Sequence, residues 1–370
     1  MNAFCILFSG SYSDNTEILP LTQKRTTASL PYGGRFRLID FVLSSLVKSN
    51  VPNIGIITRK NYNSLMDHLG WGKDWDLNRK NGGLKILTPH ANSRDYLNIQ
   101  TKFEALLSVE SYIDSMLQDY CILAEASNIY NLDFKDLLKF HISTNADITA
   151  VYKKKKIDKG ETEIIFDDKG RGYDSLYNHN EQDREGNVLL RTFILKKDFL
   201  KELINKGVTL GWEDIAKDFI SKNFHKLNVY CYEHKGYCMV INSVENYFKA
   251  NMDLLKKNVR DDLFLSGTNI LTKIKDSVPT MYGKNSNVKN SILGDGSVID
   301  GVVENSVIFR EVKIGKGAVV KNSIIFEGTV IEDGALLENV ITDKNVTITK
   351  GKEIKGSKKY PYVIPRSKKI

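Results

Sequence analysis

The sequence predicts a two-part chain: an α/β domain whose mostly parallel sheet carries helices on both faces, followed by a parallel β-helix. Two patterns carry that expectation. To about residue 255, strand-like and helix-like runs alternate, which favours crossover connections and a parallel sheet. Further on, an Asn-Ser-Ile/Val step recurs at nearly constant spacing, the mark of a stacked repeat. The length of 370 residues agrees, since single cores rarely grow past roughly 250–300 residues. The expected boundaries are 1–258 for the α/β part, 259–285 for a linker and 286–370 for the β-helix.

Ala3–Phe8 is an apolar run suited to a buried strand; without a basic flank it does not read as a signal peptide. Arg37–Ser49 places Leu38, Ile39, Phe41, Val42, Leu43, Leu46 and Val47 as a buried helix does. Asn53–Thr58 is the next strand, Tyr62–Leu69 a short helix and Gln100–Met116 a long one. Tyr120–Ala124 and Ile148–Tyr152 are the third and fourth strands. His68 reads as a core or capping residue, and Trp71 and Trp75 as packing residues beside a loop. Ligands of such sheets lie beyond the carboxyl ends of the strands, so the residues just after each strand are where chemistry is sought.

In the C-terminal part the repeat reads Asn290-Ser291-Ile292, Asn305-Ser306-Val307 and Asn322-Ser323-Ile324, then Asn339-Val340, at spacings of 15, 17 and 17 residues. Paired aliphatics such as Val298-Ile299, Val319-Val320 and Leu336-Leu337 fall between, with turn glycines at 296, 317, 328 and 334. A sandwich of independent strands does not produce this register. Coils that each bury an aliphatic against the next do, and an exposed coil face offers a subunit contact.

Composition excludes several classes. Hydrophobic residues make up 41% and charged residues 26% of the chain, so it is not disordered. No apolar run approaches the ~18 residues of a spanning helix, so no membrane role is expected. The net charge of +8 clusters at Lys153–Lys156 and Lys350–Lys369. No interleaving of basic and aromatic residues marks a nucleic-acid face. Cys5 and Cys121 lie in strand-like runs as small hydrophobes. Cys231, Glu233, His234 and Cys238 match no zinc spacing, and Lys235-Gly236 between them reads as a hairpin turn. Four such cysteines suit a reducing compartment.

Several motifs carry a family likeness. Pro20-Leu21-Thr22-Gln23-Lys24-Arg25 and Leu30-Pro31-Tyr32-Gly33-Gly34-Arg35-Phe36-Arg37-Leu38-Ile39-Asp40-Phe41 resemble the opening of the glucose-1-phosphate adenylyltransferases (ADP-glucose pyrophosphorylases). Ser64-Leu65-Met66-Asp67-His68-Leu69, Tyr247-Phe248-Lys249-Ala250-Asn251-Met252-Asp253-Leu254-Leu255 and Lys313-Ile314-Gly315-Lys316-Gly317-Ala318-Val319-Val320 extend the likeness over essentially the whole chain. The resemblance implies a Rossmann-like nucleotidyltransferase domain, a left-handed β-helix and a tetramer acting in glycogen synthesis.

The reaction implied is transfer of an adenylyl group from ATP to glucose 1-phosphate. It needs a loop that cradles the triphosphate, carboxylates that hold Mg²⁺, and cations that neutralise phosphate charge. Against the family pattern GGxGxRLxPLT, the segment after the first strand keeps Gly10 and places Glu17 at the arginine, with Asp14 as a further negative charge. Against LAGDHIYxxDY, Ser127 stands at the first metal aspartate. Against YWxDVGTxxxYxxANMDLL, Val240 stands at the second, and valine cannot coordinate a hard cation. Thr27 replaces the lysine near the triphosphate. Lys169, in Phe166-Asp167-Asp168-Lys169, stands near the sugar-phosphate lysine or is simply a turn residue.

No intact catalytic residue or metal site is therefore expected, and no bound cofactor; Mg²⁺ is required only by a catalytic partner. The likeness is to the regulatory subunit of Gram-positive bacteria, a cytoplasmic protein that assembles with a catalytic paralogue in a hetero-oligomer, as a tetramer, and activates it. Lys24, Arg25 and Arg37 match effector positions for anionic metabolites, where guanidinium forks suit phosphate; alternatively Arg37 only pairs with Asp40. Two other readings stand beside this one. One is an active adenylyltransferase with a rearranged metal site at Glu125 or Asp133; the other is a sugar-phosphate sensor or scaffold unconnected with that enzyme.

Overall fold

The computed structural model describes residues 1–10, 17–58, 60–88, 99, 101–265 and 269–370. The chain packs as two compact units, residues 1–14 with 41–240, and residues 15–40 with 241–370. This is a division by packing; the change in sequence character near residue 258 is a different division.

The first unit is built on a nine-stranded sheet. Ala3–Phe8 is central, all six residues buried, with Asn53–Ile57 parallel on one side and Tyr120–Glu125 parallel on the other. Gly83–Leu87 continues the parallel part beyond Asn53–Ile57. On the other flank the long Glu185–Lys196 strand runs antiparallel to Tyr120–Glu125 and to Ile148–Lys156. Val229–Glu233 then adds in parallel to Ile148–Lys156. The core beside the sheet joins Phe4, Ile6, Phe8, Phe103, Leu200 and Phe219. Among the described residues no helix is long and apolar enough to cross a membrane.

Three expectations are corrected here. The long helix over 100–116 is two short ones, Lys102–Leu107 and Glu110–Asp114; Gln100 lies outside the described residues. The first opens on a capping box between Thr101 and Glu104. It closes where Ser108 Oγ donates to Ala105 O at 2.7 Å and Val109 N–H turns to Leu106 O at 3.1 Å. Trp71 is not a packing residue: Gly70 and Gly72, at φ 50° and 76°, turn it outward, where it is 84% exposed. Trp75 is fully buried and meets the His68 ring at 5.4 Å. Lys235-Gly236 does not close a hairpin. Val229–Glu233 joins the large sheet, whereas Cys238–Val240 pairs antiparallel with Asn128–Tyr130 in a separate two-stranded ribbon.

The second unit is a left-handed β-helix of three five-stranded parallel sheets, with residues 15–40 and 241–265 packed into the same unit. The registers reproduce the sequence repeat: Ile292 faces Val307, Val307 faces Ile324 and Ile324 faces Ile341. The asparagines of the repeat are corner residues in the left-handed region, with φ of 46°, 47°, 46° and 53° at Asn290, Asn305, Asn322 and Asn339, a conformation asparagine tolerates. The serines form a ladder between coils. Ser306 N–H donates to Ser291 Oγ, Ser323 N–H to Ser306 Oγ and Val340 N–H to Ser323 Oγ, each at 3.1 Å. Ile314, Val320, Ile325, Ile331 and Leu337 fill the interior.

Two of the motifs that carried the family likeness meet inside this unit. Tyr247 donates its hydroxyl to Pro31 O, Tyr32 donates to Ala250 O at 3.1 Å, and Gly33 N–H donates to Asn251 Oδ1 at 3.1 Å. Gly34, at φ 83°, lies so close to the first coils that a Cβ would sit 3.2 Å from Ile292 Cγ2. These contacts explain a Pro-Tyr-Gly-Gly and an Ala-Asn-Met-Asp sequence as paired structural parts.

Candidate functional site

In the first unit the two positions that align with the family's metal aspartates, where no metal is expected, are neighbours. Val240 pairs with Asn128, beside Ser127, and both side chains are buried. One is a neutral hydroxyl and the other an aliphatic group, so together they offer a hard cation no charge. The side chain that replaces charge here belongs to a residue the sequence reading passed over. Lys102 Nζ lies 2.6 Å from Glu125 Oε1 and 2.8 Å from Asp214 Oδ2, with its ammonium 5.5 Å from the Phe8 ring centre. Arg191 Nη1 approaches the same Asp214 oxygen at 3.6 Å.

The folding reasons are local. Glu125 ends the strand beside Phe8, and Lys102 opens the capped helix. Asp214 caps the turn that follows it, accepting from Ala216 and Lys217 N–H. Arg191 sits in a bulge of the long strand at φ 49°, where the register slips between Leu189 and Phe193. Burial opposes the Lys102 charge, but Asp214 and Glu125 outweigh it and hold its pKa above the usual lysine value. Burial likewise works against an ionised Asp214, yet Lys102 and Arg191 keep its carboxyl well below the usual range. The cluster is two cations against two carboxylates, internally neutral.

Magnesium does not fit these residues. Ser127 and Val240 bring no charge, and Glu125, the nearest acid in sequence, already holds the Lys102 ammonium. Asp133 is spent differently: its side chain caps a helix, accepting from Lys135 and Asp136 N–H. Among the described residues no three His, Cys, Asp or Glu side chains converge as a metal site needs.

Lys169 is exposed in a tight turn in which Asp167 Oδ1 accepts from both Lys169 and Arg171 N–H at 2.9 Å. Ser11–Thr16, with Asp14, lie outside the described residues.

In the second unit, Glu17 is exposed and its carbonyl accepts from Val244 N–H at 3.1 Å. Thr27 is buried in a single helical turn, Thr27–Ser29. The expected effector cations separate into two kinds. Lys24 is exposed. Arg25 is buried at 4%, donates from Nη2 to Asp343 Oδ1 at 2.6 Å, and stacks 5.8 Å from the Phe326 ring centre. Its Nη1 is buried without a hydrogen-bond acceptor. Arg37 is half-buried; its backbone N–H donates to Asp40 Oδ2 at 2.9 Å and its guanidinium to Ser29 O at 3.4 Å.

Lys344, next to Asp343, belongs to the same neighbourhood. Burial, reinforced by the charges of Arg37 and Arg25, holds its ammonium below the usual lysine range despite its bond to Glu327. Glu327 also receives Lys275, and its carboxyl is lowered to about 2 against the cost of burial. Arg25 and Arg37 thus lie close enough to Lys344 to act on its charge, while Asp343 pairs with Arg25 and Glu327 with Lys344. No local signal marks Asp343 or Lys344, because Arg25 lies 318 residues away.

Comparison with known proteins adds to this geometry. Residues 6–170 match the nucleotidyl transferase family and residues 276–359 the GlmU-like C-terminal hexapeptide family. The chain is 36% identical over 346 residues to the glycogen biosynthesis protein GlgD of Bacillus subtilis, covering 93% of this chain and 90% of the relative. It is 39% identical over 304 residues to GlgD of Geobacillus stearothermophilus, covering 81% and 78%. It is 28% identical over 312 residues to the glucose-1-phosphate adenylyltransferase of Clostridium novyi, covering 82% and 81%.

Proposed function

We propose, for a chain that belongs to the family of GlgD and the glucose-1-phosphate adenylyltransferases, that it serves glycogen biosynthesis as a regulatory subunit without turnover of its own. In this reading it joins a catalytic paralogue in a cytoplasmic hetero-oligomer, a tetramer. There it raises the rate at which that partner makes ADP-glucose from ATP and glucose 1-phosphate. One observation carries the proposal: Ser127 and Val240 stand together where metal carboxylates are expected, and the nearby Glu125 is already neutralised by Lys102. Adenylyl transfer needs a divalent cation beside the phosphates, and these side chains supply none of its ligands. Identities of 36% and 39% to GlgD proteins, against 28% to an adenylyltransferase, point the same way.

Regulation through the second unit is the complementary part. The buried, acceptor-free Nη1 of Arg25, beside Arg37 and Lys344, suits an anionic metabolite. The exposed Lys24, next to Arg25 in sequence, is a further candidate cation for that metabolite, and Lys169 is a candidate contact for a sugar phosphate. The deciding experiment purifies the chain alone and with a full-motif paralogue, and measures pyrophosphate release with ATP, Mg²⁺ and glucose 1-phosphate. The expected result is no turnover by the chain alone, a stable mixed complex, and a faster partner. Brisk ADP-glucose formation by the isolated chain, or no complex and no change in rate, would overturn the reading.

A further inference from the structure

The net charge of this protein is concentrated in one place. Residues 350–370 hold eight lysines and arginines and one acid, Glu353, leaving 45 cations against 44 acids in the preceding 349 residues. All eight, Lys350, Lys352, Lys355, Lys358, Lys359, Arg366, Lys368 and Lys369, are exposed. Lys355 reaches Glu353 at 3.4 Å, an exposed contact of little strength.

This coil also departs from the repeat. Ile341 faces Val363, a step of 22 residues where the preceding coils take 15, 17 and 17. The additional residues form an ordered projection: Ser357 N–H donates to Tyr360 O at 3.1 Å and Tyr360 N–H returns to Ser357 Oγ at 3.0 Å. It presents Lys358, Lys359 and Tyr360, the last 72% exposed, and leads into Tyr362, 51% exposed. Exposed tyrosines amid exposed cations suit a contact surface.

The backbone identifies the kind of partner. Glu353–Lys355 and Tyr362–Ile364 each pair with one strand of the preceding coil, and among the described residues no strand pairs their other edge. The third face differs, because Thr347 and Thr349 N–H already donate to Lys368 O and Ile370 O at 2.8 Å. Tyr362 N–H donates to Asn339 O and Ile364 O accepts from Asp343 N–H, so the alternation of a parallel ladder turns the Val363 amide to the open edge. Lysines along such an edge repel a second copy of the same edge, while attracting an acidic one.

We propose that this fifth coil is a docking edge for an acidic, extended segment of another protein, which adds as a strand beside Glu353–Lys355 or Tyr362–Ile364. Hydrogen bonds from the edge would give affinity and the lysines would select the charge. A nucleic acid or an anionic membrane would share the charge but could not complete the ladder.

The test uses the full chain and an alternating (Glu-Val)₅ peptide, followed by fluorescence anisotropy and amide exchange. Binding is expected to weaken as salt rises. It should fall at least tenfold in Lys355→Glu/Lys358→Glu/Lys359→Glu, and less in the matching glutamine variant. Reversing Lys80, Lys135 and Lys226 should leave it unchanged. A peptide of the same charge interrupted by two prolines should bind at least tenfold more weakly, and Val363 should gain amide protection only with the pairing peptide. Binding that ignores the prolines, absent protection at Val363, or tighter binding of polyuridylate RNA or phosphatidylserine vesicles would overturn the proposal. Variant melting temperatures report whether the coil remains folded.

Discussion

Lys102 Nζ sits 2.6 Å from Glu125 Oε1, and both side chains are only 7% exposed. Glu125 ends the strand Tyr120–Glu125, Lys102 opens the helix Lys102–Leu107, and their pairing gives the buried carboxylate a counter-charge from within the chain.

Removing the ammonium should therefore be costly. Lys102→Met leaves Glu125 buried without a counter-charge and Asp214 with Arg191 alone, and breaking a buried pair typically costs about 3–5 kcal/mol. Urea unfolding should show a loss of that size, with a smaller loss in Lys102→Arg. A midpoint equal to the parent's would contradict a structural role for the cluster.

Restoring two acids should not restore an enzyme. Ser127→Asp/Val240→Asp supplies two carboxylates, but Glu17 and Thr27, which replace the arginine and lysine of the family pattern, are unchanged, and Lys102 still holds Glu125. Pyrophosphate release by the double variant should stay near background. A rate near that of a full-motif paralogue would show that the missing aspartates were the whole deficit.

In the second unit, Arg25 and Asp343 should be energetically coupled. Their short, buried, charge-assisted bond should give a coupling energy of roughly 1.5–3 kcal/mol in an Arg25→Ala/Asp343→Ala cycle. A coupling near zero would mean that the two side chains act independently.

The corner asparagines and the coil interior make separate demands. Asn322→Val places a β-branched residue at φ 46° and should cost about 1–2 kcal/mol, whereas Asn322→Gly should be nearly neutral. Ile314→Lys or Val320→Asp buries an unpaired charge at a site 2% or 0% exposed and should lower the melting temperature far more. Similar melting for all four variants would refute the coil register.

Acid should weaken the first unit before it reaches the carboxylate range. Burial, aided by the Lys196 charge, lowers His141 from 6.5 to about 4. Between those values the unfolded chain binds the proton more readily, so stability should fall as pH drops from about 6.5 towards about 4. Urea midpoints across that window should decline in the parent and decline less in His141→Gln. The Glu327 contribution, with its carboxyl at about 2, has the same sign but is lost lower, as pH falls from 4.5 through about 2.

Sequence periodicity reached far in the β-helix because its contacts repeat locally: the 15- and 17-residue steps of the asparagines are the register itself. The strands at residues 3, 53, 120 and 148 were equally legible as apolar runs, although Ile148–Lys156 runs on through four lysines that its alternating exposure accommodates. What stayed hidden depends on partners distant in the chain. Lys102 reads as an ordinary helix lysine until Asp214 arrives from 112 residues away. Arg191 reads as a strand residue until the bulge turns it. Lys235-Gly236 has the composition of a hairpin turn, yet the strands it joins go to different sheets, a choice made by Ile148–Lys156 and Asn128–Tyr130.

The second unit is assembled from both ends of the polypeptide, and this sets a timetable for its birth. At roughly 5–20 residues per second, a ribosome would deliver Asp343 some 15–65 s after Arg25. Until residues 247–251 and 292 have emerged, the arm around Pro31 and Gly34 lacks the partners it holds in the finished unit. The arm must wait, in the reach of chaperones and proteases, so truncated nascent chains should be cut there first.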